Sequence, residues 1–147
     1  MSAVIAIQDG HVRRKIVEDH RSFNNWESII HPTAIIASTS SIGRGCVFFP
    51  YITVSVDTMI GEFNLIYINS IISNDCAIGS YNSIMSSVSI SEHSIIGDEC
   101  LLGSGSTIYP HKRIGDRVVV GVEATVDREY NDDAMISEKG SGFSLFD

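Results

Sequence analysis

Ile60-Gly-Glu-Phe-Asn-Leu-Ile66-Tyr-Ile-Asn-Ser-Ile-Ile72-Ser-Asn-Asp-Cys-Ala-Ile78-Gly79 decides the fold of this chain. Isoleucine stands at every sixth position, and the dipeptide Ile-Gly returns after 18 residues. Working outward, Ile-Gly occurs at Ile42-Gly43, Ile60-Gly61, Ile78-Gly79, Ile96-Gly97 and Ile114-Gly115. The six-residue series runs Ile30, Ile36, Ile42, Phe48, Val54, Ile60, Ile66, Ile72, Ile78, then Ile84, Ile90, Ile96, Leu102, Ile108, Ile114, Val120, Val126. Every member is aliphatic or Phe. A helix repeats near 3.6 residues and a strand at 2, and neither sustains a period of six over about 100 residues. A hexad does so when six residues form one short strand and one corner, three strands closing a triangular coil. The head residue of each hexad then points inward and stacks on its equivalents. Strands of successive coils run parallel, about 4.8 Å apart, and their hydrogen bonds pass from coil to coil, as in a solenoid. The fifth hexad position also faces inward and must be small. Ala34, Ser40, Cys46, Thr58, Ser70, Cys76, Val88, Ser94, Cys100, Ser106, Val118 and Ala124 occupy it. All three cysteines fall in this class, so they read as core filler rather than as metal ligands or nucleophiles.

Composition sets the outer bounds. A length of 147 residues suits one domain, and 44% hydrophobic with 19% charged residues implies a packed core. The net charge of −8 leaves no basic face to neutralise phosphates, so no nucleic acid partner is expected. Apolar runs are too short for a membrane span, and the N-terminus lacks the features of a signal peptide. Three cysteines do not suggest a disulfide framework. A cytoplasmic location is expected.

The Ile-Gly hexads and the 18-residue coil resemble the left-handed parallel β-helix of hexapeptide-repeat acyltransferases, more closely the nucleotide-sugar and sialic-acid acetyltransferases. His31-Pro-Thr-Ala34 is similar to that family's junction motif, and Ile66 to Gly79 lies over its catalytic coil. Gly103-Ser-Gly-Ser-Thr-Ile108 and Val120-Gly-Val-Glu-Ala-Thr-Val126 correspond to its cofactor-side coils. The resemblance implies an all-β fold with a left-handed parallel β-helix over 29–131, a βα remnant as a cap over 1–28 and a C-terminal tail over 132–147. It implies acetyl-CoA as co-substrate, a small-molecule amino-sugar acceptor and a homotrimer whose active site lies in a groove between subunits. No metal is expected; the γ-class carbonic anhydrases use a related β-helix, but His11, His20 and His31 lie at the distant N-terminal end.

At that end Ala3-Val-Ile-Ala-Ile7 reads as a strand and Asp9-Gly10 as a turn with a helix cap. Val12 to His20 reads as a short helix with Val12 and Ile16 on one face. The pair resembles the last βα unit of the family's N-terminal sugar-binding domain, and is expected to plug the open end of the solenoid. In the tail, Phe143, Leu145 and Phe146 are read either as contacts to a neighbouring subunit or as a fraying end.

The resemblance also assigns roles. The family's basic histidine falls on Asn74, its preceding glutamate on Ser73 and a second histidine on Ser83. Asparagine cannot accept and release a proton near neutral pH. The 18-residue register stacks Asp57, Asp75, His93 and His111 at equivalent corners, which puts His93 beside the vacated slot with Asp75 one coil below to orient it. His93 reads as a substitute base, as a solvated corner residue, or with His111 as a metal ligand. An amine acceptor needs no base, since a neutral amine held against a thioester is already a good nucleophile. On the cofactor side the resemblance assigns the Glu92 backbone N–H to the thioester carbonyl, and Ser83, Ser104 and Val122 to coenzyme A. The favoured function is therefore acyl-CoA-dependent N-acetylation of an amino sugar or a nucleotide-linked amino sugar. The alternative is a base-less, non-catalytic binding or scaffold protein, and the third reading is O-acetylation of sialic acid or another sugar.

Overall fold

The computed structural model describes residues 1–137 and the backbone of 142–144. Two-residue strands recur every six residues from Ile29–Ile30 to Thr125–Val126. Each pairs in parallel with the strand 18 residues away, as Ile66, Ile84 and Leu102 do. The result is the left-handed parallel β-helix expected from the hexads, a three-sided prism with sheets of eight, six and five strands. The first face carries Leu65–Ile66, Ser83–Ile84, Leu101–Leu102 and Val119–Val120, and continues through Ala134–Ile136, to which 142–144 add antiparallel. The second face carries Ile71–Ile72, Ser89–Ile90 and Thr107–Ile108, and the third Ala77–Ile78, Ile95–Ile96 and Arg113–Ile114.

Inside the prism the six-residue series is buried from Phe48 to Val126. Ile30 is 46% exposed, because no earlier coil covers it. The fifth hexad positions from Cys46 to Ala124 are buried too, Lys112 excepted, and one repeated arrangement satisfies most of their polar members, Ser106 Oγ having no partner among the described residues. The Thr58 hydroxyl donates to the Ser73 carbonyl (2.8 Å) and accepts from the Cys76 amide (3.3 Å). Ser70 does the same with Met85 and Val88. Asn64 and Asn82 extend it: each donates to a carbonyl 15 residues on and accepts from an amide 18 residues on.

Corners are turned by left-handed residues, including Tyr51, Phe63, Asp75, Tyr81, His93, Glu99 and His111. Their amides donate back to the preceding coil, for example His93 N–H to the Asn74 carbonyl at 3.1 Å. At Gly45 a side chain would collide with the Phe63 ring, so this corner also needs glycine for space.

The N-terminal unit departs from expectation in three ways. Ala3–Ile7 does not form a strand; a single bridge between Ala3 and Trp26 is its only pairing, too little to propagate a ladder. A helix spans Gly10–Asp19, with Asp9 capping it by accepting from the Val12 amide at 3.1 Å. Its buried residue is Arg13, whereas Val12 is exposed and Ile16 only half-buried. The unit lies along the first face and its edge, against Phe63, Tyr81 and Ser83, instead of over the open end. Val47, Leu65 and Ser83, the outward residues of that face, are buried beneath it. The Phe143 side chain, Leu145 and Phe146 lie outside the described residues. Among the described residues, no helix is long and apolar enough to cross a membrane.

Candidate functional site

Asn74, Asp75, Glu92 and His93 come together at the corner between the second and third faces. The Asn74 amide donates to Asp75 Oδ2 at 2.7 Å, and His93 Nε2 faces the same oxygen at 3.9 Å. His93 and His111 stack, with ring centroids 4.7 Å apart and planes at 15°. The column expected from the register is therefore present: carboxylate, imidazole, imidazole, rising coil by coil. Asp75 and His93 are both exposed at this corner. Asn74 fixes the Asp75 carboxylate, and that carboxylate faces an imidazole within electrostatic reach. The Asn74 and Glu92 carbonyls accept the His93 and His111 amides, while the Glu92 N–H has no acceptor among the described residues. A free amide beside an imidazole offers both an oxyanion donor and a proton acceptor. Among the described residues, no group of three or more His, Cys, Asp or Glu side chains is placed to hold a metal ion.

The other assigned residues lie elsewhere. Ser104 and Val122 stand one coil apart at the corner between the first and second faces, Ser104 half-buried and Val122 exposed. Ser83 is in the middle of the first face, on the opposite side of the prism from Asn74. Its hydroxyl donates to the Gln8 carbonyl and accepts from Arg13 at 3.0 Å, so the side chain is committed inside the protein. Cysteine chemistry is closed off as well. Cys46, Cys76 and Cys100 are buried, and burial pushes the first and last thiols up to about 11 and about 12 and raises Cys76. None supplies a thiolate near neutral pH.

A feature the sequence reading missed sits beside Ser83. A cavity of about 450 Å³ opens between the segment from Gln8 to His11, which enters the helix, and the first face, with Leu101 and Val119 as its floor and Glu99 and Arg117 at its side. The 18-residue register does put Glu99 and Arg117 in one column, but nothing in it tells that the Gln8–His11 segment faces them.

These features define a hexapeptide-repeat left-handed β-helix, a fold shared with sugar acyltransferases of known structure. One is a variant of the GDP-perosamine N-acetyltransferase of Caulobacter crescentus in complex with CoA and GDP-perosamine (TM-score 0.91, 22% identity, covering 96% of this chain and 68% of that chain). Another is the acetyltransferase domain of PglB from Neisseria gonorrhoeae in complex with acetyl coenzyme A (TM-score 0.90, 20% identity, 98% and 70% covered). A third is a variant of AntD, an N-acyltransferase from Bacillus cereus, with dTDP and coenzyme A (TM-score 0.72, 15% identity, 98% and 91% covered). No protein-family model and no curated protein matches the chain.

Proposed function

We propose that this chain is an acyl-CoA-dependent N-acyltransferase that acetylates an amino sugar, free or nucleotide-linked, with acetyl-CoA as co-substrate and a homotrimer as the working unit. The observation that carries this is the corner at Asn74, where a free Glu92 amide stands beside the Asp75–His93 pair. Support comes from the fold, which the three acyltransferases above, two of them N-acyltransferases, share while holding CoA or acetyl-CoA. A second structure of the Caulobacter enzyme has one histidine replaced by Asn and still holds CoA and GDP-perosamine, so in that protein such a replacement is compatible with ligand binding.

In the reaction the amine nitrogen attacks the thioester carbon and the Glu92 N–H meets the developing oxyanion. The carbon–sulfur bond then breaks, and the proton shed by the nitrogen passes to the departing coenzyme A sulfur, by way of His93 or water. Asn74 holds Asp75, which orients His93; Ser104 and Val122 lie along the coenzyme A. Ser83 and the cavity face away from Asn74 in one chain, so a site using both sides needs the corner of one subunit set against the first face of the next. Met59, Ile71 and Ile95 are exposed on either side of the corner, an apolar surface suited to that contact. Sedimentation equilibrium is expected to give a trimer of the 16.1 kDa chain. A stable monomer removes the shared site and the enzyme reading with it.

The deciding experiment is thiol release from acetyl-CoA across a panel of amino sugars, with His93→Ala and Asn74→His beside wild type. If His93 is the proton acceptor, His93→Ala loses about 10²-fold or more in turnover. A loss below about fivefold leaves proximity as the mechanism. Asn74→His is expected to favour hydroxyl acceptors. No release with any acceptor, alongside measurable coenzyme A binding, selects the non-catalytic reading.

A further inference from the structure

The cavity beside the N-terminal helix carries an inference about the acceptor. We propose that it takes the amino sugar as the free amine and disfavours phosphorylated or nucleotide-linked forms of the same sugar. This rests on the N-acyltransferase reading and narrows its substrate class.

The arginines around the cavity are already committed to partners within the chain. A pyrophosphate needs donors that are not already spent, typically guanidinium groups or the open end of a helix. Arg13 spends its guanidinium on the carbonyls of Ile7, Gln8, Phe63, Tyr81 and Asn82 and on Ser83. Arg14 is held by Asp98 at 2.9 Å and by Glu99. Arg117 makes a two-pronged pair with Asp133, at 2.7 and 3.0 Å, with Asp132 at 3.6 Å. The helix N-terminus points at the cavity, and the Asp9 carboxylate, which accepts from the Val12 amide, sets a negative charge there. His11, the remaining basic side chain of the lining, faces Glu99 at 3.5 Å. What the cavity presents to a ligand is therefore two carboxylates, Asp9 and a Glu99 shared with Arg14 and His11, above an apolar floor of Leu101 and Val119. With a net charge of −8 on the chain, the background field disfavours an anion further. An amino sugar fits these terms. Its hydroxyl and amine donors face carboxylates, and its ring lies on two aliphatic side chains.

The test uses one amine in three charge states: 2-amino-2-deoxyglucose, its 1-phosphate and its UDP-linked form, each added to the full ¹⁵N-labelled chain with coenzyme A present. The free amine is expected to shift the amide resonances of Gly10, Leu101 and Val119 and to bind at least about tenfold tighter than either phosphorylated form. Asp9→Asn keeps a good helix cap and is expected to weaken the free amine about threefold, the scale of one exposed charge contact. Equal or tighter binding of a phosphorylated form, unchanged affinity in Asp9→Asn, or no shift at those amides with any of the three overturns the proposal. Thiol release is read in parallel samples with acetyl-CoA in place of coenzyme A. Binding at these amides without release leaves the cavity assignment standing and removes acyl transfer; release without shifts there does the reverse.

Discussion

Arg13 offers the most informative single perturbation. Its guanidinium is fully buried and donates to five backbone carbonyls and one hydroxyl, bridging the Ile7–Gln8 segment to Phe63 and to the segment from Tyr81 to Ser83. Burial holds its pKa down at about 10, which still leaves it charged at neutral pH. Arg13→Met fills the space and removes every donor. Each stranded carbonyl costs about 1–3 kcal/mol while it stays dry, so the gross penalty exceeds what docking of this unit can sustain. The unit then peels off, and its carbonyls meet water. The measurable loss is thus capped by the docking free energy, about 3–5 kcal/mol by analogy with breaking a buried charge interaction. Trp26 is the only tryptophan and packs edge-on against Phe23 and Phe63, at 4.8 and 5.7 Å. Its fluorescence therefore reports docking, while far-UV circular dichroism reports the solenoid. In Arg13→Met the Trp26 transition is expected about 10 °C or more below the solenoid transition; in wild type the two coincide. Coincident, unshifted transitions in the variant would refute the assignment of Arg13 as the lock.

Three further outcomes follow from the core and the ion pairs. Ile78→Asp puts an unpaired carboxylate between Ile60 and Ile96 and is expected to cost several kcal/mol; a melting curve like wild type would show the hexad phase to be wrong. Native protein at pH 8 is expected to leave Cys46, Cys76 and Cys100 unreactive toward an aromatic disulfide reagent, with three thiols titrating in denaturant. Arg117 holds the Asp133 carboxyl below the ordinary value of 3.8, so the stability this pair adds is present above that value and lost as pH falls through the lower folded value. Acid unfolding below about pH 4 should therefore be shallower in Asp133→Asn, and an unchanged acid limb would count against the pair.

The sequence shows the solenoid plainly because the inward residues obey one rule over the whole chain. From Ile42 to Val126 each hexad head must touch its equivalents above and below, and only an apolar side chain does that. The Asp75–His93–His111 column is legible for the same reason, since the register fixes which corners align. The left-handed corners are not legible. Tyr51, Phe63 and Tyr81 are poor residues for positive φ on local grounds, and they adopt it because their amides reach acceptors of the preceding coil, the Thr33 hydroxyl for Tyr51 and carbonyls for the other two. Arg13 is hidden too: in an amphipathic reading of Gly10–Asp19 an arginine belongs outside and Val12 inside. The helix inverts this because Arg13 faces carbonyls of the Ile7–Gln8 segment and of the corners at Phe63 and Tyr81, where a guanidinium fits better than an aliphatic side chain.

The corner-and-strand register also restricts how the chain can change in length. Removing 18 residues from the middle of the prism would delete one floor and leave every surviving ladder, stacked isoleucine and corner column in line. Removing six would keep the interior filled, because each hexad head is apolar, but would turn everything downstream by one face. Taken out between Asp75 and His93, those six residues would carry His93 and His111 to a different edge from Asp75, and the chemistry would be dispersed while the stability survived. Lengths that are not multiples of six would break the interior itself. Gain and loss of sequence within the coils is thus stepwise, with whole turns neutral to the site and thirds of a turn able to rewrite it.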